Sequence, residues 1–373
     1  MNPIHVPFLD LPRQHEPIHR EILEAVLPLL ESASYIGGPA VDAFETAFSA
    51  AHDGRPAVGL KSGTAALHLA LEALGVGPGD EVMVPAFTFI ATAATAVRLG
   101  ATPVFVDVDD ATACMDPEAM EHALTSRTRV VVPVHLYGHP APVDRICERA
   151  RNHGVAVLED CAQSHLARWN GRPTGTFGEA AAYSFYPSKN LGAAGDAGAV
   201  VGADAALVDR VRQLANHGRA GRYEHAFVGW NERLDAVQAA VLTVKLRHLE
   251  AWTEARRRAA GRYRELLTAV RPFGEPLVLP ETRAGAEPVH HLYVVRHPHR
   301  DVLLETLAAG GVAAGAHYPT TLPSQPAFAK LDLPAAHCPR AEAWAASCIA
   351  LPLFPGITVE QQTRVAEVLA SAR

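Results

Sequence analysis

Short runs of apolar and β-branched residues alternate with amphipathic stretches of helix length between Pro56 and Val201. The runs at 57–60, 81–84, 103–106, 130–134, 155–159, 181–185 and 198–201 predict strands; 64–74, 90–99, 117–123 and 143–152 predict helices between most of them. Strands that alternate with helices are joined by crossovers, which implies an α/β fold with a mostly parallel sheet flanked by helices. Gly100 and Gly154 stand just past two of these helices, where a residue free to take positive φ ends the winding. A long periodic stretch at 234–267 carries Leu242, Leu246, Leu249, Trp252 and Tyr263, with no proline and one glycine, Gly261. It predicts one long helix, or two with a kink, joining two domains. The Pro/Gly-rich segment 271–288 reads as a linker, and a strand at 291–296 followed by a helix at 301–309 opens a smaller α+β domain. Ligands of open α/β sheets gather at the C-terminal ends of the strands, so chemistry is sought there.

Composition narrows the class. The 373 residues are 49% hydrophobic and 20% charged, enough to bury a core and too apolar for disorder. With 33 basic and 40 acidic side chains the net charge is -7, which offers no footprint for nucleic acid. Mean hydropathy is +0.05, and every apolar stretch stops short of the ~20 residues a membrane span needs. The start, Met1-Asn2-Pro3-Ile4-His5, lacks a charged-then-apolar leader. Cys114, Cys147, Cys161, Cys338 and Cys348 are scattered with no C-x-x-C pair, which argues for a reducing compartment and against a cysteine zinc site. A cytoplasmic enzyme is expected.

Three segments carry chemistry. Lys61-Ser62-Gly63-Thr64 sits between a strand and a helix, where small residues and free N–H groups suit an anion. Val157-Leu158-Glu159-Asp160 is an apolar run ending in acids, and Asp160 at its carboxyl edge needs a cationic partner if buried. Ser184-Phe185-Tyr186-Pro187-Ser188-Lys189 brings a lysine into a turn among small residues, a setting for a nucleophilic amine. Taken singly these read as a helix cap, a structural ion pair and a solvated lysine. Yet the chain holds only four lysines, Lys61, Lys189, Lys245 and Lys330, so a lysine in that turn is an uncommon choice. Together they supply a phosphate cradle, an acid for a ring nitrogen and a Schiff-base amine, the set that pyridoxal phosphate demands. Phe87 or Phe89, after the 81–84 strand, could cover the ring.

With these residues in view, the chain resembles the DegT/StrS-type sugar aminotransferases, within fold type I of pyridoxal phosphate enzymes. The resemblance runs from Tyr35-Ile36-Gly37-Gly38-Pro39 to Leu351-Pro352-Leu353 and includes Glu159-Asp160-Cys161-Ala162-Gln163, Asn216-His217-Gly218, Gly229-Trp230-Asn231 and His317-Tyr318-Pro319. It implies a large domain at 1–250 with a seven-stranded type of sheet and a small domain at 251–373 on which residues 1–35 pack. It makes Lys189 the cofactor lysine and Asp160 the partner of the pyridine nitrogen. It sets Gln163 by the ring oxygen, Phe89 on the ring, and Gly63, Thr64 and Ser184 on the phosphate. Asn231 would reach the phosphate of a neighbouring subunit in a homodimer with shared sites. Tyr35, Tyr183, His317 and Tyr318 match positions that contact the sugar nucleotide. The implied reaction moves an amino group from L-glutamate through pyridoxamine phosphate to a nucleotide-linked keto sugar, in amino-sugar biosynthesis of secondary metabolism. A dTDP-3-keto-6-deoxyhexose is the first choice of acceptor; a 4-keto sugar, a cyclitol ketone, or a non-catalytic sensor are the rivals. Lys61 and Ser164-His165-Leu166-Ala167 depart from the family pattern without touching Lys189 or Asp160.

Other residues have plainer readings. His290, His291, His297 and His299 lack ligand spacing, so no metal is expected. Cys161 reads as a core thiol and Arg256-Arg257-Arg258 as a solvated helix face.

Overall fold

The computed structural model describes residues 4–373; Met1 to Pro3, at the start of the segment without a leader pattern, lie outside the described residues. Seven strands form one sheet, in the lateral order Ala57–Leu60, Gly198–Gly202, Ala180–Ser184, Ala156–Asp160, Thr128–Val131, Glu81–Pro85, Thr102–Val106. The last five of that order pair in parallel, while Gly198–Gly202 runs antiparallel to both its neighbours. Helices Gly63–Ala73, Ala91–Arg98, Pro117–Ala123 and Val143–Asn152 carry the chain back between successive parallel strands, and the helix-free segment with the short pair Arg168–Trp169 and Arg172–Pro173 does the same between Asp160 and Ala180; between Ser184 and Gly198 the chain turns back directly and pairs antiparallel. That direct return crosses the C-terminal edge of the sheet and holds Lys189. Gly100 and Gly154 adopt φ of 78° and 68°, the helix stops read from the sequence. The run at 130–134 pairs regularly only as Thr128–Val131, since Pro133 brings no N–H to the ladder.

The long helix is one piece, Ala236–Leu267, started by Asp235, whose carboxylate accepts from the Gln238 amide at 2.8 Å. Its first half buries Ala239, Leu242 and Leu249 with Phe44, Phe48 and Phe185; its second half buries Ala259, Tyr263 and Leu267 with Tyr293, Ile349 and Val365. A division at residue 250 therefore falls inside a helix that serves both cores. The second core adds the antiparallel pair Tyr293–Arg296 and Cys348–Leu351 and the helices Arg300–Ala309 and Val359–Ala370. Val6 joins it, with its amide donating to the Gly311 carbonyl and its carbonyl accepting from Ala313, both at 2.9 Å. The rest of the first 35 residues behaves differently: the helix His19–Ser32 lies along the first half of the long helix, where Glu21 pairs with Arg247 at 3.0 Å. The segment read as a linker is tied down as well. Val278 and Arg296 exchange amide–carbonyl bonds, and Ala286–Glu287 pairs with Arg168–Trp169. No helix among the described residues is long and apolar enough to cross a membrane.

Candidate active site

A cavity of about 560 Å³ opens where the strands Ala156–Asp160 and Ala180–Ser184 end and the helix Gly63–Ala73 begins. Lys189, Asp160, Gln163, Ser184, Gly63, Thr64, Phe89, His317 and Tyr318 all line it. Residues separated by as many as 255 positions in the chain thus converge on one cavity.

One end is built for an anion. The Ser62 hydroxyl accepts from the Ala65 amide at 3.1 Å and the Ser62 carbonyl from Ala66 at 3.0 Å, leaving the first-turn amides of Gly63 and Thr64 without partners among the described residues. Two glycines make the fit possible. A Cβ on Gly63 would stand 2.5 Å from the Ser184 Cβ, and one on Gly198 would stand 2.3 Å from the Ser62 carbonyl carbon. Lys61 turns away to pair with Glu232 at 2.9 Å.

The other groups set charge. Asp160 is 5% exposed; its Oδ2 accepts from the Thr92 hydroxyl at 3.0 Å and its Oδ1 from the Ala162 amide at 3.1 Å. Burial raises its carboxyl above the usual range, against the pull of those bonds and of the Lys189 charge. Lys189 sits in the helix-free return, which is pinned by mutual bonds between Phe185 and the 193–197 segment and by the Lys245 ammonium on the Gly192 carbonyl. Burial lowers Lys189 to about 8, with Asp160 acting in the opposite sense. A buried carboxylate facing an amine that is readily neutral suits a protonated ring nitrogen and a carbonyl carbon. The Gln163 Oε1 accepts from the Tyr137 amide at 2.6 Å, so its Nε2 is the group left to donate near the Tyr318 hydroxyl, 3.4 Å away. Phe89 presents its ring to the cavity, whereas Phe87 is buried against Trp344 and is not the ring cover. His317 stacks on Phe8 with ring centroids 5.5 Å apart.

Two sequence readings are corrected. Tyr183 is fully buried, donates to the Thr174 carbonyl at 2.8 Å and packs edge-on to Phe48. Ser184 faces the cavity, so its strand neighbour points to the other face of the sheet and contacts no ligand there. Arg256 is 2% exposed and lies on the cavity wall, not on a solvated helix face. Tyr35 and Asn231 are exposed and stand outside this cavity; the Tyr35 carbonyl caps Ala236 and Asn231 bridges to Asn216. Sequence reasoning missed Thr92, Thr88 and His291, which come from helix and loop faces with no local motif, and Arg256, for which the helical period was the available signal.

His135, Glu159 and Cys161 approach one another within 4.8 Å behind the site. Glu159 accepts from the amides of Gly175, Phe177 and Gly178 at 2.7 to 2.9 Å and from His135, whose Nδ1 accepts from Ala141 at 3.0 Å. With its acceptors filled, this cluster anchors the strand that ends in Asp160.

The description "DegT/DnrJ/EryC1/StrS aminotransferase family" fits residues 16–370. The chain belongs to that family. It is 45% identical, over 98% of its length and 97% of the relative's, to a UDP-N-acetyl-3-dehydro-alpha-D-glucosamine 3-aminotransferase of Acidithiobacillus ferrooxidans. It is 43% identical, over 98% and 95%, to a dTDP-3-amino-3,4,6-trideoxy-alpha-D-glucose transaminase of Streptomyces venezuelae. Its fold superposes with a TM-score of 0.94 on the crystal structure of S. venezuelae DesV in complex with a ketimine intermediate, at 42% identity and 98% coverage of both chains. The protein is accordingly a pyridoxal phosphate-dependent aminotransferase of fold type I. The residues fit the cofactor: free first-turn amides and a glycine-tight cradle for its phosphate, buried Asp160 for its ring nitrogen, Lys189 for its aldehyde.

Proposed function

We propose that this aminotransferase carries the amino group of L-glutamate to the ketone of a nucleotide-linked sugar, with a dTDP-3-keto-6-deoxyhexose the best-matched acceptor. The observation that carries the reading is Lys189 facing Asp160 in a cavity of about 560 Å³, room beyond the cofactor for a sugar ring. Two relatives whose names place the amine or ketone at position 3 support the choice of ketone.

When bound, the cofactor withdraws electrons from the carbon that carries the migrating amine. Asp160 holds the proton on its ring nitrogen, and Gln163 donates to its ring oxygen. Lys189 Nζ, neutral in an appreciable fraction near neutral pH, takes the α-proton of glutamate and returns it on the cofactor side. Water adding at the α-carbon would release 2-oxoglutarate and leave the amine on the cofactor, and the same groups would serve the reverse steps on the sugar ketone, whose oxygen would depart as water. Tyr318 and His317, which line the cavity, are the residues this reading assigns to the acceptor.

Exposed apolar side chains stand beside both residues in the chain, Ile36 next to Tyr35 and Trp230 next to Asn231, which supports a two-fold dimer in which each subunit completes its neighbour's site. Lys189→Ala and Asn231→Asp, each inactive alone, then regain activity in mixed dimers, up to about half of wild type. Verified mixed dimers without activity would refute sharing. The substrate reading is tested with a panel of 3-keto and 4-keto nucleotide sugars and an inosose, each with glutamate, with products read by mass spectrometry and NMR. Amination of the 3-keto dTDP sugar is expected to dominate; preference for a 4-keto sugar or cyclitol overturns the acceptor, and no turnover favours a sensor.

A further inference from the structure

One buried tyrosine ties together parts of the cavity wall that come from distant stretches of the chain. Tyr137 stands in the turn past the strand Thr128–Val131, with φ of 59° and ψ of 7°. Left-handed backbone is costly for a bulky side chain and persists where the surroundings over-determine it. Here its polar groups are all engaged. The amide donates to the Gln163 Oε1 at 2.6 Å, the carbonyl accepts from the Leu292 amide at 3.3 Å, and the hydroxyl donates to the His317 carbonyl. The residue is 8% exposed, and burial raises its phenol well above the ordinary range, so the hydroxyl stays a donor. The turn is itself fixed to the strand end: the His135 amide donates to the Asp160 carbonyl at 3.1 Å, and the Asp160 amide to the Pro133 carbonyl at 2.9 Å. Gly138, also left-handed at φ 85°, packs the turn against the C-terminal segments, since a Cβ there would stand 2.8 Å from the Val289 Cγ2. Tyr137 does not line the cavity, yet its partners Gln163, Leu292 and His317 all do. Gln163 follows the strand that ends in Asp160, whereas Leu292 and His317 belong to the C-terminal segments.

We propose that Tyr137 is a positioning residue for transamination, which turns Gln163 toward the cofactor and sets the 317–318 segment toward the acceptor from one point in the turn. This rests on the reading above, in which Gln163 donates to the ring oxygen and His317 and Tyr318 serve the acceptor. A peptide N–H can only donate, so it takes the oxygen of the Gln163 amide and leaves the Nε2 end to face the cavity. The hydroxyl acts at the far end of the side chain, on a backbone carbonyl. The two arms are chemically separable, because every residue except proline keeps the amide, whereas phenylalanine loses the hydroxyl.

The test uses the holoenzyme and whichever nucleotide keto sugar of the panel above the wild type aminates fastest. Tyr137→Phe keeps the ring and the amide and loses one bond, so the KM for that sugar should rise at least about fivefold, about 1 kcal/mol. The rate of the glutamate half-reaction and the pH midpoint of the yellow absorbance should match wild type, because the amide still holds Gln163. Gln163→Glu probes the other arm. Tyr137 can still donate to one carboxylate oxygen, and the other then brings negative charge where Nε2 donated. That charge favours the protonated, yellow form, and the midpoint should move up by about one pH unit or more. Thermal melting confirms that both variants are folded; should Tyr137→Phe not fold, Gln163→Glu decides. A sugar KM within twofold of wild type, or an equal loss in both half-reactions of Tyr137→Phe, overturns the positioning role, as does a Gln163→Glu midpoint that matches wild type. A wild-type enzyme that aminates no sugar of the panel overturns the acceptor reading and the acceptor arm with it, and the midpoint then decides the cofactor arm.

Discussion

In the proposed reading Lys189 captures the cofactor aldehyde, which it can do only as a neutral amine, so the pH dependence of capture reports the environment of that one group. An ordinary lysine titrates near 10.5, and burial brings this one to about 8. At pH 7 the neutral fraction is then about 9% in place of about 0.03%, roughly 300-fold more reactive amine. The assay mixes apoenzyme with pyridoxal phosphate and follows the growth of yellow absorbance by stopped flow across the titration. The rate should climb about tenfold per pH unit below about 8 and level off above it. Asp160→Asn supplies the perturbation. The Asp160 charge favours the ammonium, so its removal should move the midpoint below that of wild type while the side-chain size is kept. A rate that continues to rise toward about pH 10, or a midpoint that moves upward in Asp160→Asn, would refute the burial argument.

Gly63→Ala puts a Cβ 2.5 Å from that of Ser184, so the first helical turn must shift; cofactor affinity measured by fluorescence titration should fall at least about tenfold, and denaturant unfolding of the cofactor-free protein should show a loss of about 1–3 kcal/mol. Thr92→Val removes the 3.0 Å bond that favours the Asp160 carboxylate; a loss of about 1 kcal/mol of anion stabilisation should slow the glutamate half-reaction roughly fivefold. Tyr183→Phe leaves the Thr174 carbonyl without its buried donor; denaturant unfolding should show a loss of about 1–2 kcal/mol, while the KM for the sugar nucleotide stays within twofold of wild type (about 0.4 kcal/mol), as expected of a residue outside the cavity.

The parts of the site that were legible in the sequence are those held by local backbone rules. Asp160 and Ser184 end apolar strands, Gly63 starts a helix after a capping serine, and Lys189 follows in the loop after Ser184, so short motifs report their positions. The parallel direction of most strands was legible from the helices between them, but the antiparallel run of Gly198–Gly202 was not, because a β-branched run has the same pattern either way. Tyr183 was misplaced although the two-residue period decides it: with Ser184 toward the cavity, Tyr183 and Phe185 must face Phe44 and Phe48. Helical period likewise decides the arginine run. Leu249, Thr253, Arg256, Ala260, Tyr263 and Leu267 recur at three- and four-residue steps and are all buried, which places Arg256 on the inner face while Arg258 is turned away. Thr92 could not be found this way, since its partner lies 68 residues on and no spacing links a helix face to a strand end.

Two lysines meet the chemical requirement of a lowered amine, which makes their discrimination the sharpest test of the central claim. Lys245 is also brought to about 8 by burial, but it donates to the Gly192 carbonyl and does not reach the cavity wall, whereas Lys189 lines the cavity facing Asp160. Reduction of the yellow holoenzyme with borohydride, followed by digestion and mass spectrometry, reads which amine the cofactor occupies. The pyridoxyl mass is predicted on the peptide that contains Lys189 alone, and its appearance on Lys245, Lys61 or Lys330 in place of Lys189 would contradict the account.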